Sequence, residues 1–266
     1  MKNLLVEAPD TLKYNYSVRK KPSPEGFSGH SHNAYELLYF INGDATYAVE
    51  DKKYKLREGD LIITRPSKYH FIQMDSDKDY ERHNILFDHK KLGIDMRHLP
   101  EEIDVINVKG EKIITDILDK FSYYAASFSC EDFVRVARLL VEEIIFNIPL
   151  IEKNRESDFL VINPILSKAL SYIGENLYTI RDISEVADAV FVTESYLYRL
   201  FKRELFKSPK KYITEKRLLL AQNGLKKGKR PTEVAAECGF EDYTTFYRNY
   251  TELFGKSPSE ERTLWI

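Results

Sequence analysis

Three histidines and one glutamate in the first third of the chain have side chains that could act on a single ligand. His30, His32 and Glu36 lie in one short segment, and His70 follows further along the chain. Imidazoles combined with a carboxylate suit Zn, Mn, Fe or Ni, so one hypothesis is a transition-metal site. The other hypotheses are that these residues line a barrel that binds a small organic effector without a metal, or that they bind no ligand.

Short apolar runs around these residues predict the strands of a β-sandwich or barrel. Runs rich in β-branched and aromatic residues occupy 37–41, 46–49 and 61–64, and turn signals separate them. Tyr39, within the first run, offers an aromatic ring suited to a sugar or a similar polar molecule. We therefore expect a small, sugar-like effector and no cofactor, with these candidate binding residues: His30, His32, Glu36, Tyr39 and His70.

The spacing of these residues resembles the two sequence motifs of the cupin fold. His30, His32, Glu36 and Gly43 match the first motif, and Gly59, Pro66 and His70 match the second. The second motif departs at Lys68 and Met74, where Gly and Asn are usual. The resemblance implies a cupin-like barrel as the N-terminal domain.

Basic residues are concentrated in the C-terminal part of the chain. The whole sequence has a formal net charge of −2, yet 199–230 contains twelve Lys and Arg residues and only two Asp and Glu residues. Such a segment is typical of a surface that binds phosphates. The alternative is an ordinary solvated helical face.

The same region repeats itself at an offset of 49 residues. The segment 207–209 (Lys-Ser-Pro) matches 256–258, and Arg199 matches Arg248. Each copy has a short helix with small residues, a tight turn, and a second helix with an apolar stripe. This plan is that of a helix-turn-helix, in which the second helix enters the major groove of DNA. The alternative is an ordinary helical bundle with two polar faces.

Polar side chains opposite the two stripes are the candidates for contacts with DNA. The stripe of the first recognition helix is expected to comprise Leu197, Leu200, Phe201 and Leu205, and that of the second Phe246, Tyr250 and Leu253. Hydroxyl, phenol, ammonium and guanidinium groups can bond base edges and phosphates, and Arg can bind guanine with two hydrogen bonds. The candidates are Ser195, Tyr198, Arg199, Lys202, Thr244, Thr245, Tyr247 and Arg248.

The apolar pattern across 209–225 predicts one continuous helix between the two copies. Such a helix would hold the copies rigidly apart, so that the recognition helices enter adjacent major-groove segments roughly 34 Å apart. Its stripe is expected to comprise Tyr212, Ile213, Lys216, Leu219, Leu220 and Asn223.

Residues 164–262 resemble the DNA-binding domain of the AraC/XylS family. Motifs in both copies carry the resemblance: Ala187, Tyr196-Leu197, Arg199-Leu200-Phe201-Lys202, Ser208-Pro209, Arg217, Ala221, Glu233-Val234-Ala235, Cys238-Gly239-Phe240, Phe246, Arg248, Phe254-Gly255, Ser257-Pro258 and Arg262. The resemblance implies sequence-specific DNA binding and transcriptional control. Phe191 replaces the usual Gly of the first turn, which must then avoid positive φ or carry strain. Pro231, Thr251 and Glu261 also depart from the family pattern.

Two amphipathic patterns at 111–148 predict a helical hairpin between the barrel and the DNA-binding region. Its apolar stripe could lie on the barrel or against the hairpin of a second chain, so a homodimer is expected. The fold class is α+β and multidomain. The expected segments are a cupin-like effector-sensing barrel (1–108), a hairpin for dimerisation or coupling (109–150), a linker (151–162) and a double helix-turn-helix domain (163–266).

Composition argues against several other classes of protein. The two cysteines have no paired spacing, which argues against a disulfide framework and a Cys-based metal site. No apolar run reaches the ~18 residues of a membrane helix, so a cytoplasmic protein is expected. His83 and His89 have no motif partner and are expected at the surface or at strand ends.

An enzyme is not expected, because no residue spacing indicates a catalytic triad, a phosphate loop or a carboxylate pair. The expected partners are double-stranded DNA, a small-molecule effector, a second copy of the chain and RNA polymerase. Two other readings compete with a ligand-responsive transcription regulator. One is a metal-dependent cupin enzyme fused to a DNA-binding tail, and the other is a nonspecific DNA-coating protein.

Overall fold

The structure, a computed structural model, describes residues 3–23, 29–151 and 159–263. The chain divides into two units, one built mainly from residues before 161 and the other mainly from 161–266. None of the helices in the described ranges has the length and apolar character needed to span a membrane. Most of the expected linker, 152–158, lies outside the described residues.

The N-terminal unit is built on antiparallel strands. In chain order its strands are β1 (Leu4–Ala8), β2 (Leu12–Arg19), β3 (Tyr35–Asn42), β4 (Ala45–Val49), β5 (Lys52–Lys55), β6 (Asp60–Thr64), β7 (His70–Met74), β8 (Tyr80–Phe87) and β9 (Val105–Asn107), with α1 (His89–Leu92) after β8. One sheet has the order β1-β2-β8-β3-β6-β9, and β5, β4 and β7 are neighbours in the other. The three expected strands lie within β3, β4 and β6, so these sequence predictions are confirmed.

The six-stranded sheet buries both of its faces. Successive side chains of a strand point to opposite sides, so Leu37 and Leu38 on β3 belong to different cores. Leu37 packs in a cluster with Ile85 and the helices of the hairpin. Leu38 packs with Tyr80 on β8 and with Tyr47 on the second sheet. The second cluster therefore marks the interior of the barrel.

The helical hairpin consists of α2 (Lys112–Ser127) and α3 (Cys130–Asn147), followed by a short 3-10 turn (Ile148–Leu150). Ser129 begins α3 by accepting a hydrogen bond from the Asp132 N–H. Phe121 on α2 and Phe133 on α3 are fully buried in the same cluster as Leu12 of β2. Of the two expected environments for its stripe, the hairpin therefore uses its own barrel.

The C-terminal unit is helical. The short strand β10 (Leu160–Val161) precedes α4 (Pro164–Asn176), α5 (Ile183–Ala189), α6 (Glu194–Leu205), α7 (Pro209–Lys226), α8 (Pro231–Glu237), α9 (Tyr243–Phe254) and α10 (Pro258–Thr263). Side chains of Thr193, Ser208 and Asp242 accept backbone hydrogen bonds at the starts of α6, α7 and α9. These caps explain where the helices begin, because they satisfy N–H groups that have no partner within the helix.

The helix α7 is continuous, as the sequence predicts, but its buried residues differ from the expected stripe. Leu218, Ala221 and Leu225 pack against the second helix-turn-helix, whereas Asn223 is exposed and Lys216 is half-buried. The stripe prediction is confirmed for Tyr212, Ile213 and Leu219, which are buried, and was wrong for Lys216 and Asn223. The helix packs against α6, α8, α9 and α10, and a single-face pattern does not describe a helix with several packing partners.

Candidate DNA-binding surface and effector site

The first helix-turn-helix consists of α5 and α6, joined by residues 190–193. The N–H of Phe191 donates to the Asp188 carbonyl at 3.1 Å, and that of Val192 donates to the Ala187 carbonyl at 3.0 Å. This turn requires a left-handed backbone, and Phe191 has a φ of 57°. Its side chain is 95% exposed. The sequence predicts that the first turn either avoids a positive φ or carries strain. The structure shows the second outcome, because Phe191 keeps the positive φ.

The second helix-turn-helix consists of α8 and α9, joined by residues 238–242. Gly239 donates to the Ala236 carbonyl and Phe240 to the Ala235 carbonyl, both at 3.0 Å, which repeats the pattern of the first turn. Its turn is one residue longer than the first, so the repeat offset is 48 residues between α5 and α8 but 49 between α6 and α9. The internal repeat is confirmed with a one-residue insertion.

The first recognition helix, α6, separates an apolar face from a polar one. Its buried residues are Leu197, Leu200, Phe201 and Leu205, which are the members of the expected stripe. The four candidate DNA contacts lie off this stripe. Ser195, Arg199 and Lys202 are exposed, and Tyr198 is half-buried.

The second recognition helix, α9, has the same division. Phe246 and Tyr250 are buried, and Phe254 packs against their cluster. Leu253, which the sequence places in the stripe, is 39% exposed. Phe254, four residues after Tyr250, takes its place on the apolar face. The candidate contacts Thr244, Tyr247 and Arg248 are exposed, and Thr245 is half-buried.

In the barrel, Glu36 on β3 and His70 on β7 form a buried pair. His70 Nε2 lies 3.1 Å from Glu36 Oε2, and His70 Nδ1 lies 2.9 Å from the Lys68 carbonyl oxygen. Both ring nitrogens therefore face oxygen acceptors. This geometry suits either an imidazole that donates from both nitrogens or a cation in the place of the Nε2 proton.

The structure brings together the four residues that the sequence singles out for a metal. His30, His32, Glu36 and His70 each offer one ligand atom, and these atoms lie within 4.8 Å of one another. Three imidazoles and a carboxylate form a donor set that transition metals accept, and the contact of His70 with a carbonyl is of the kind that orients metal-binding histidines. The set fits a metal chemically.

Tyr39 lies away from this group. It packs against the cluster that contains α2 and α3, with its ring 6.2 Å from that of His83. Its neighbours Leu38 and Phe40 face the interior instead. The structure therefore separates Tyr39 from the other four effector candidates, because strand alternation predicts two faces without saying which one lines the barrel.

A polar row on β2 and β8 lines the barrel interior, and sequence inspection missed it. Asn15 lies opposite Asn84, and Ser17 lies opposite Arg82, in the antiparallel register. The amide oxygens of Asn15 and Asn84 are buried and have no hydrogen-bond partner among the described residues. Buried polar atoms are normally paired, so these two oxygens are candidates for contact with a ligand. In the sequence, alternation across 12–18 is equally typical of a strand with one solvent-facing side.

His83 is buried within β8, so its expected place at the surface or a strand end is wrong. Its Nδ1 lies 2.9 Å from the hydroxyl oxygen of Tyr14, which in turn lies 2.8 Å from the Ser122 hydroxyl on α2. Burial lowers the pKa of His83 to about 4. The three side chains fasten the hairpin to the sheet.

Two helix-turn-helix motifs and an antiparallel barrel with a polar interior define a DNA-binding regulator with a ligand-binding domain. Two family profiles match the chain in the corresponding order. The AraC-like ligand binding domain matches residues 19–100, and a helix-turn-helix domain matches residues 186–263. The chain belongs to the AraC family of transcriptional regulators, and the expected fold class is confirmed.

Similar proteins include transcriptional regulators of comparable length. The chain is 23% identical to the lactose operon transcription activator of Staphylococcus xylosus, in a match that covers 94% of this chain and 86% of that protein. It is 22% identical to the HTH-type transcriptional activator RhaR of Cronobacter sakazakii, with 90% and 88% covered. Among solved structures, a regulator with an AraC-type DNA-binding domain from Chromobacterium violaceum is 32% identical, with 38% of this chain and 92% of that chain covered and a TM-score of 0.36.

Proposed function

We propose that this regulator recognises a specific operator through the polar faces of α6 and α9. One observation carries the proposal: each recognition helix buries its apolar stripe and leaves its polar face exposed. Arg199 and Arg248 occupy matching positions, and each could bind a guanine with two hydrogen bonds, which is worth roughly 1–3 kcal/mol of discrimination. The proposed contact residues are Ser195, Tyr198, Arg199, Lys202, Thr244, Thr245, Tyr247 and Arg248.

Selection of bound duplexes from a random pool by the full chain tests the operator proposal. We expect enrichment of one sequence with two short blocks about 10 base pairs apart, which is one turn of DNA. A nonspecific DNA-coating protein would enrich no sequence, and its affinity would depend on salt alone. That outcome contradicts the proposal.

We further propose that the barrel binds a small, sugar-like effector. The amide oxygens of Asn15 and Asn84 can accept hydrogen bonds from ligand hydroxyls, and each is already removed from solvent. Glu36 and His70 supply a second polar group inside the barrel, with His30 and His32 close to them. The relative from Staphylococcus xylosus is named for the lactose operon, which supports the same class of ligand.

Thermal unfolding of the full chain with lactose, galactose, arabinose and inositol tests the effector proposal. A ligand present at 100 times its Kd stabilises the fold by about 2.7 kcal/mol, which a melting curve resolves. Asn15→Leu and Asn84→Leu should fold, because each replaces a side chain whose buried amide oxygen is unpaired with an apolar group of similar size, yet they should lose the shift. Tyr39→Phe, on the opposite face, should keep it. The proposal fails if no sugar shifts the wild type or if both Leu variants respond fully.

A metal-responsive barrel is the second candidate function, and the four-residue group around Glu36 and His70 favours it. Zn²⁺, Ni²⁺ or Mn²⁺ added to chelator-treated protein should then raise the melting temperature of the wild type. The same ions should leave Glu36→Gln and His70→Gln unchanged. The same response in wild type and both variants, or none at all, removes this candidate.

We also propose that the chain works as a homodimer through the outer face of α3. The inner stripe of the hairpin is occupied by the barrel, whereas Leu139 and Phe146 are 59% and 49% exposed. They are seven residues apart and therefore lie on one side of the helix. An effector that binds one conformation better would shift the population of the dimer. Sedimentation should show a dimer that Leu139→Glu dissociates, and a wild-type monomer with and without DNA contradicts the proposal.

A further inference from the structure

The loop that leads into the first helix-turn-helix contacts the turn of the second, in addition to the covalent link through α7. Arg217 on α7 donates three hydrogen bonds to backbone carbonyls. Its Nε reaches the Leu177 oxygen at 2.8 Å, its Nη2 reaches the Ile180 oxygen at 2.6 Å, and its Nη1 reaches the Gly239 oxygen at 2.9 Å. Leu177 and Ile180 belong to the loop that leads into the first motif, and Gly239 belongs to the turn of the second.

Gly239 allows the two segments to come this close. A Cβ at this position would overlap the carbonyl oxygen of Tyr178 and would lie 3.2 Å from Cζ of Arg217. Its φ of 79° is also in the left-handed region, which favours glycine. We call the contact formed by Leu177, Tyr178, Ile180, Arg217 and Gly239 the joint.

The joint is rigid because its acceptors are main-chain atoms and its donor is planar. A guanidinium presents its N–H groups in a fixed fork, so three bonds made at once define the positions of three carbonyls relative to one another. The Leu177 and Gly239 carbonyls also follow the C-terminal ends of α4 and α8, where a cation is favoured. The nearby pair of Arg181 and Glu241, 3.6 Å apart and exposed, adds little.

We propose that Arg217 sets the separation of the recognition helices α6 and α9 and thereby determines the spacing of the two operator blocks. This inference rests on the proposed operator binding. Successive major-groove segments lie at a fixed interval, so two rigidly held helices bind together only where the blocks match their separation. Arg217 acts here as a positioning residue, because its guanidinium is engaged by the protein's own backbone.

A distance measurement tests the joint without DNA. Spin labels at Ser195→Cys and Thr244→Cys, in a Cys130→Ser background, report the separation of α6 and α9 by pulsed electron paramagnetic resonance. We expect a narrow distribution in this labelled chain and a broad or shifted one after Arg217→Met or Gly239→Ala. Gly255→Ala is the matched control, because its φ of 69° imposes the same backbone strain while its Cβ meets nothing within 4 Å. Equally narrow, unshifted distances in all variants overturn the proposal.

Operator variants then test the consequence for specificity. On the selected operator, an insertion of one or two base pairs between the blocks should cost the wild type tenfold or more in affinity, about 1.4 kcal/mol or more. For Arg217→Met, the ratio of the affinity for the selected operator to the affinity for the lengthened operator should approach one. Gly255→Ala should keep the wild-type ratio. A purely structural role would lower both affinities by the same factor, and that result overturns the inference. If no operator is enriched, the proposed function fails. The distance measurement still shows whether the joint fixes the separation of α6 and α9.

Discussion

Tyr14 on β2 and Ser122 on α2 share a hydrogen bond of 2.8 Å between their hydroxyl oxygens, and the same Tyr14 hydroxyl contacts His83. Tyr14 directly precedes Asn15, and His83 directly precedes Asn84, whose amide oxygens face the barrel interior. Neighbouring residues on a strand point to opposite faces, so the two amides and this network lie back to back on the same two strands. We expect an effector bound in the barrel interior to act on the hairpin through these strands.

The Tyr14 network should be cooperative. Tyr14→Phe removes a hydroxyl and leaves two buried groups unpaired, and Ser122→Ala removes one of its partners. Each change should cost about 1–3 kcal/mol of unfolding free energy. In urea unfolding, the double variant should be less destabilised than the sum of the two, by at least 0.5 kcal/mol as expected for residues in contact. Strict additivity would show that the two hydroxyls do not interact.

His83 should make the stability of the barrel depend on pH. Burial lowers the pKa of His83 from 6.5 to about 4, so the unfolded chain binds more protons between these values. Stability is therefore complete above pH 6.5 and is lost as pH falls toward 4, by up to about 3 kcal/mol at 1.36 kcal/mol for each unit of pKa. Urea unfolding of wild type and His83→Gln at pH 7, 5.5 and 4 measures this loss. The variant should show a flatter dependence, and parallel curves would exclude His83 as the cause.

Sequence patterns correctly predicted the elements whose side chains divide into one buried face and one exposed face. The stripe of α6 and the exposed position of Arg248 follow from local periodicity. The pattern predicted only some of the buried residues of α7, which packs against several helices. It also missed Asn15 and Asn84, because a polar row inside a closed sheet has the same alternation as a row in solvent. Whether such a row faces a second sheet or solvent depends on contacts between strands that are distant in the sequence.

The strained turn of the first helix-turn-helix offers a stabilising substitution. Phe191 adopts a φ of 57° while its side chain is almost fully exposed, so the strain is not offset by burial. Phe191→Gly should raise the free energy of unfolding by about 1 kcal/mol, since a left-handed residue with a Cβ costs roughly 1–2 kcal/mol. Phe191→Ala keeps the Cβ and should give no such gain. A thermal melt in which both variants behave alike would show that the backbone strain is negligible.

A buried carboxylate replaces the usual residue of the family at position 261. Glu261 is 1% exposed, and its Oε2 accepts from Tyr250 at 3.1 Å and lies 3.0 Å from Nζ of Lys256. Lys256→Met removes the positive charge and should cost about 3 kcal/mol, because it leaves a buried carboxylate without its counter-charge. Glu261→Gln in the same chain should recover much of this loss. Urea unfolding measures both variants, and failure of the second change to rescue the first would show that charge is not the cause.

Arg248 and Lys227 should contribute to DNA binding in different ways. Arg248 lies on the exposed face of α9, whereas Lys227 ends α7 outside both recognition helices. Arg248→Ala should cost roughly 1–3 kcal/mol and relax the preference at one base pair, because a contact with a base edge is lost. Lys227→Ala should weaken binding to all sequences about equally and reduce the salt dependence, because only attraction to phosphates is lost. Titrations of both variants against the selected operator and its single-base changes, at two salt concentrations, separate these effects. The reverse pattern would place the base-reading surface on α7 and its following loop rather than on α9.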